Sequence, residues 1–393
     1  MIRFSTKTKK RMIITILFVF ILIVVKACWV KCVISGQGSF EGEKKEIVRR
    51  ANYLTAKVAS SPQQLLDEMP TGIGTQFQGE WALYTCSMTC AALANIAILY
   101  PQNKETAIKF IGQIIDIAMS EDIREYDKLR WREDPMDGIY GNLSHISYYS
   151  HLAWMISRYK QIGGDGKYDG LYHTLCRSMN RRIRQSPILN LPTYPGESIY
   201  IPDMLVAIVA LHNYGSQYNG EYSSIVRLWI ERAKREWIDK ETGLLASFLV
   251  DNGNSAEIEP PVKGSYSALN CYYMSLIDTE FAKEQYECLK KNFKQTFPFT
   301  GISEYYDRSC WLGMDIDAGP IIFNLSPSGT AFAIGCATSL DDMEFRSQLL
   351  KTAEIAGSTI RWFDKNHYLL ANVALVGEAI ALAMRTSAPQ TKI

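Results

Sequence analysis

The sequence predicts an all-α protein, an (α/α)6 toroid of six helical hairpins that follows an N-terminal membrane or export segment. Three observations carry this expectation. Stretches that are apolar and small nearly all round alternate with amphipathic ones. The first five apolar stretches recur about every 60 residues. The loops that lead into them are long and rich in Gly, Pro, Asp and Tyr.

A helix without a charged face must be buried on most sides, whereas a helix with one apolar stripe packs on that stripe alone. Windows of the first kind lie at 80–99, 143–160, 201–214, 265–277, 328–339 and 368–385. Windows of the second kind lie between them. Residues 104–119 bring Ala107, Ile111, Ile114, Ile115 and Ala118 to one face. Residues 168–184 do the same with Tyr168, Leu171, Tyr172, Leu175 and Met179, and residues 223–237 with Val226, Trp229, Ile230, Ala233 and Trp237. These are the i, i+3, i+4, i+7 spacings of helices, and a helix over 42–57 completes the set. Such pairs close into two rings, the apolar helices inside and the amphipathic ones outside. Open solenoids also repeat helix pairs, but with shorter units and tighter loops. The loops 121–142, 185–200, 238–264 and 295–327 should open on one rim, and loops this long in a compact domain are usually functional. No low-complexity linker interrupts residues 40–390, which read as one domain.

Residues 1–35 stand apart. Arg3, Lys7, Lys9, Lys10 and Arg11 precede the unbroken apolar run from Met12 to Val25, which Lys26 ends. A basic flank before a short apolar core is an export pattern. The run falls short of the roughly 20 residues that span a bilayer, unless Lys26 and Lys31 snorkel and Ala27 to Ile34 extend it. A cleaved signal, a retained anchor and lipidation at Cys28 all remain open. Each gives a membrane-associated protein with its body outside the cytoplasm. Beyond Cys28 and Cys32 seven cysteines remain at irregular spacing, and most of them, Cys86 and Cys90 among them, fall within apolar helical patterns, which suits core filling better than a disulfide framework.

Lys and Arg number 42 against 41 Asp and Glu, a net charge of +1, without the basic surplus that nucleic-acid binding needs. With five His residues and no CxxC, HExxH, P-loop or GxGxxG motif, neither a metal nor an organic cofactor is expected. Oligomerisation stays open.

Four segments could carry chemistry. In 131–151, His151 lies among Tyr148, Tyr149 and Trp154 on an inner helix, where an imidazole can act as acid or base. The bland alternative is a core histidine bonded to a Tyr. In 193–203, two prolines and a glycine fix the backbone before an inner helix, with Glu197 and Asp203 beside Tyr194 and Tyr200. A desolvated Glu197 suits a general acid, while Asp203 reads more readily as a helix-start residue. In 313–320, Asp315 and Asp317 alternate and so share a side, where they could share a proton, hold a cation or contact sugar hydroxyls. Glu257, Glu259 and Lys263 in 251–267 read as a solvated loop.

The segment from His145 to Lys160, HISYYSHLAWMISRYK, resembles a stretch of the linalool dehydratase-isomerase family through Tyr148, His151, Leu152, Met155 and Tyr159. Asp134-Pro135, Gly164-Asp165 and Tyr168-Asp169 extend the similarity. The resemblance implies an (α/α)6 barrel and cofactor-free proton transfer, with His151 in the role of that family's histidine. Where the family carries a Cys-Glu-Pro segment, this chain has Pro195-Gly196-Glu197, so Glu197 alone carries over.

Two enzyme classes follow. One is an acid/base lyase or isomerase acting on a hydroxylated small molecule, with His151 and Glu197 exchanging protons and Tyr148, Trp154 and Tyr194 orienting the substrate. The alternative is a carbohydrate-active hydrolase or lyase drawing its carboxylates from Glu197, Asp203, Asp315 and Asp317, with Tyr194 and Tyr200 beside a saccharide. A non-catalytic binding protein is the third reading.

Overall fold

The computed structural model describes residues 39–387 except 71 and 73, together with scattered positions between 14 and 30. The export or anchor expectation for residues 1–35 therefore falls largely outside the described residues.

Outer helix α1 (Phe40–Val58) and the short α2 (Pro62–Asp67) come first. Inner helix α3 (Thr75–Leu99) then turns back into outer helix α4 (Lys104–Ala118). After an inserted α5 (Glu121–Trp131), the hairpins α6 (Ile146–Gln161) with α7 (Asp169–Gln185) and α8 (Ile201–Gln217) with α9 (Ser223–Glu236) follow. Next come α10 (Gly264–Ser275) with α11 (Thr279–Phe293) and α12 (Pro327–Ser339) with α13 (Met343–Gly357). The last inner helix is α14 (Leu375–Arg385). Around the inner ring α3 packs on α6, α6 on α8, α8 on α10, α10 on α12, α12 on α14, and α14 returns to α3. The ring is closed, and the fold is an (α/α)6 toroid.

Physical chemistry sorts the two rings. Among the described residues, the one helix long and apolar enough to cross a membrane is Gln76–Leu99, and it is mostly buried because it belongs to the inner ring. Small side chains such as Ala82, Cys86, Cys90 and Ala94 let its neighbours approach. At Gly79 a Cβ would stand 2.7 Å from Cβ of Tyr126, so α5 can lie against α3 only where no side chain intervenes. Outer helices bury one stripe each, as α9 does with Ile225, Val226, Trp229, Ile230 and Ala233. Helix starts carry side-chain caps: Asp278 accepts from Phe281 N at 3.0 Å, Ser326 from Gly329 N at 3.0 Å and Asp342 from Phe345 N at 3.1 Å.

The sixth hairpin is assembled from both chain ends. Helix α1 packs against α3 and α14. Glu43 on α1 accepts from Arg346 on α13 at 2.7 and 2.8 Å and from Arg385 on α14 at 2.7 Å. Arg50 on α1 donates to Glu378 on α14 at 2.6 Å.

Three expected features differ. Residues 121–131 of the first long loop form helix α5. Residues 368–374 are not part of the last inner helix, which starts at Leu375; strands β8 (Thr359–Trp362) and β9 (Lys365–Tyr368) form a hairpin before it. Glu378 explains the arrangement, since it receives the Tyr368 amide at 2.8 Å as well as Arg50. The other long mouth loops also fold into short antiparallel strands: β1 (Ile199–Tyr200), β2 (Phe248–Asp251) and β3 (Ala256–Glu259) in one sheet, β4 (Lys294–Gln295) with β5 (Gly301–Ile302), and β6 (Leu312–Asp315) with β7 (Gly319–Ile322).

Candidate active site

Every inner helix points its N-terminus at the same rim, because each outer helix returns the chain there. Two carboxyls sit inside this mouth near inner-helix starts, Glu80 on α3 and Asp203 on α8. Both are half-buried. Burial pushes Glu80 up to about 8, with the Asp203 charge adding to the shift and the Tyr194 hydroxyl and Arg130 opposing it. Burial likewise pushes Asp203 up to about 7, eased by the Thr193 hydroxyl and raised further by Asp317. The Asp203 charge thus helps to keep the proton on Glu80, while Asp203 itself is raised by burial and by Asp317.

Glu197, by contrast, sits on the exposed rim. It accepts from Arg130 Nη1 at 2.6 Å and from the Tyr200 hydroxyl at 3.4 Å. Arg130 in turn lies over the Tyr194 ring, 4.3 Å from its centre. Glu197 thus holds Arg130 above Tyr194 rather than entering the lumen as a desolvated acid. Tyr194 is buried, and its hydroxyl and that of Thr193 stand beside Glu80 and Asp203, whose charged forms they favour.

The 313–320 segment is the β6–β7 hairpin, which overhangs the mouth. Asp315 receives Lys263 Nζ at 2.8 Å and the turn amides of Asp317 and Ala318 at 2.9 and 3.0 Å. Burial alone would raise its carboxyl, but Lys263 and these amides hold it below the usual carboxylate range. Asp317 lies 3.7 Å from Lys263, and burial leaves it raised despite the cation. The two aspartates do share a side, as their alternation implies, with Lys263 between them. Asp203 is no helix cap either, since α8 begins without a side-chain cap.

The His151 neighbourhood is different. His151 is buried between α6 and α3, with Nδ1 2.8 Å from Ser87 Oγ and its ring edge-on to Tyr84. Burial drives it down to about 3, so the imidazole is neutral at physiological pH. Tyr148 does not face a substrate: it is fully buried and its hydroxyl donates to the Ala118 carbonyl on the outer helix α4. Trp154 is buried against Tyr273, ring centres 5.5 Å apart. Tyr84 on α3 and Tyr273 on α10 come from opposite sides of the ring, and with Trp154 they plug the lumen below the carboxyls. The segment that resembles the dehydratase-isomerases therefore builds the floor and wall of the barrel.

Among the described residues no group of three His, Cys, Asp or Glu is placed to hold a metal ion. Glu80 was not singled out from the sequence. The signal was present: it is the only charged side chain in α3.

Neither a family model nor a curated protein matches the sequence. Among solved structures the chain is similar to the crystal structure of an unsaturated glucuronyl hydrolase specific for heparin. The TM-score is 0.54 at 11% identity, over 88% of this chain and 98% of that one. At this identity the likeness establishes the fold alone. It supports the toroid in general and does not extend to kinship with the linalool dehydratase-isomerases.

Proposed function

We propose that the protein is a carbohydrate-active enzyme that cleaves a glycosidic bond by acid/base chemistry, with Glu80 and Asp203 as its working pair. The observation that carries this reading is the pair itself: two carboxyls near the starts of two inner helices, the Asp203 charge acting on Glu80, drawn up to about 8 and about 7. In the neutral range Glu80 keeps its proton and Asp203 is ionised for part of the time. Glu80 then protonates the leaving oxygen as the anomeric C–O bond breaks. Asp203 takes a proton from the water whose oxygen bonds to the anomeric carbon. Asp317 supports Asp203 by its charge from the hairpin above, and Tyr194 and Thr193 offer hydroxyls to the sugar. Tyr200, Phe248 and Tyr266 pack edge-to-face beside the mouth and offer apolar surface for a sugar ring. The unsaturated glucuronyl hydrolase supports a saccharide substrate by fold analogy.

The lyase or isomerase reading centred on His151 has less behind it. A buried imidazole at about 3 is a poor base and, being neutral, a poor acid. The test is turnover of oligosaccharide panels, neutral and uronate-containing, by the native enzyme, Glu80→Gln and Asp203→Asn. Each substitution should reduce kcat by at least about 100-fold with unchanged helical content. Substantial turnover by both variants would discard the pair.

A further inference from the structure

We propose that one side of the mouth rim, built from residues 294–326 and 358–374, rests on a lipid bilayer together with the apolar N-terminal segment. The two loops are consecutive around the rim, because they lead into the neighbouring inner helices α12 and α14. They carry most of the large apolar side chains that the body of the protein exposes. Trp362 and Phe363 at the tip of the β8–β9 hairpin are 68% and 82% exposed. Leu312 and Met314 on β6 are 76% and 77% exposed. An apolar patch of this kind, rimmed by polar residues, marks a site of contact.

The direction in which these side chains point separates them from the active site. Along β6 the residues alternate. Asp315 turns inward to Lys263, whereas Leu312 and Met314 stay exposed on the outer face. A sugar in the lumen meets the first face and not the second.

The N-terminal segment identifies the occupant. Its described positions from 14 to 26 are helical and expose Ile14, Leu17, Phe18, Phe20, Ile21 and Leu22. Lys26 donates to Ser358, the residue just before β8, and Val30 is buried in the body. The described apolar positions thus approach the body at the foot of the hairpin that carries Trp362 and Phe363. Five basic residues precede its apolar run, and Arg361 and Lys365 flank the hairpin tip. Aromatic tips with cationic neighbours suit the headgroup level of a bilayer, and basic residues suit its anionic lipids. A protein partner would match the patch but would leave the neighbouring apolar helix uncovered.

The test uses the full chain in anionic vesicles whose acyl chains are brominated close to the headgroup. Tryptophan quenching is compared between the native protein, Trp362→Phe and, as a control from the buried outer ring, Trp229→Phe. The expected result is that Trp362→Phe removes a distinct share of the quenching, while Trp229→Phe keeps all of it. Phe363→Ser should make Trp362 more accessible to aqueous iodide in the vesicle-bound protein, with unchanged helical content. Equal quenching in the native protein and Trp362→Phe would overturn the proposal. So would burial of Trp362 that grows with protein concentration without lipid, which would assign the patch to a second copy of the chain. Neither readout depends on catalysis, so failure here leaves the glycosidic reading standing.

Discussion

His151 and Glu80 show how burial decides which titratable side chain does chemistry. Both are enclosed by the inner ring, but His151 meets the Ser87 hydroxyl and the Tyr84 ring, and burial alone shifts and neutralises it. Glu80 is likewise desolvated, but it borders the lumen and faces a second carboxyl. The pair predicts a pH profile. Turnover should rise as Asp203 loses its proton near 7 and fall as Glu80 loses its own near 8, giving a narrow optimum between them, readable from kcat/KM against pH. His151 predicts a stability profile instead. Its folded value of about 3 lies below the roughly 6.5 of a free imidazole. Between these values the unfolded chain binds the extra proton, so the contribution is complete above about 6.5 and is lost as pH falls below it. His151→Gln should flatten that acid limb in denaturant titrations and leave the pH profile of turnover in place. An unchanged stability profile would mean that the ring is solvated. These roles were only partly legible in the sequence. The mouth segments 193–203 and 313–320 were visible from their Pro, Gly and Asp content; the first supplies Asp203 of the pair and the second supplies Asp317, whose charge acts on it. Glu80 was hidden because its helix reads as core, and only the fold shows that its first turns border the lumen.

The helices were legible because burial on all sides and burial on one side leave different patterns along a chain. The mouth hairpins were not. Their pairing is set by contacts from elsewhere, as Glu378 sets β9 through the Tyr368 amide and Lys263 sets β6–β7 through Asp315. Gly264, the first residue of α10, depends on such a contact as well. A Cβ there would stand 1.9 Å from the Ser303 carbonyl oxygen, a backbone atom that cannot swing aside. Gly264→Ala should therefore displace the start of α10 and the adjoining Lys263, lowering both thermal stability and turnover. Full turnover with an unshifted melting temperature would show that the 303 backbone gives way freely. Glu43 makes a similar argument for α1. Burial would raise its carboxyl, but Arg346 and Arg385 together hold it low. Its contribution is present above the ordinary carboxylate value and is lost as pH falls through the lowered folded one. Glu43→Gln leaves two buried guanidinium groups without their charge partner, which costs on the order of 3 kcal/mol. Melting experiments should show that loss as a clear drop near neutral pH that shrinks in acid.

At the scale of the whole molecule, closure separates this architecture from an open array of helix pairs. In a solenoid each unit leans only on its neighbours, so removing a terminal unit shortens the array and leaves the rest folded. Here α14 lies between α12 and α3, and it supplies Glu378 to Arg50 and Arg385 to Glu43. Ending the chain after residue 374 would strip those partners from α1 and expose apolar flanks on two inner helices at once. It would also free both ends of the arc, and the inner helices face one another across a lumen that is plugged by residues from opposite sides. Tyr84 on α3 and Tyr273 on α10 depend on α3 staying in place, and α3 would lose one of its two inner-ring neighbours. Truncation at 374 should thus disorder the far side of the ring as well as the cut. Near-UV circular dichroism of the buried Trp154, Trp229 and Trp237 should collapse, and proteases should cleave within 201–293 as readily as near the new terminus. If the truncated chain keeps its tryptophan signal and resists cleavage over 201–293, the hairpins stand independently, and closure contributes to the shape of the mouth and not to its stability.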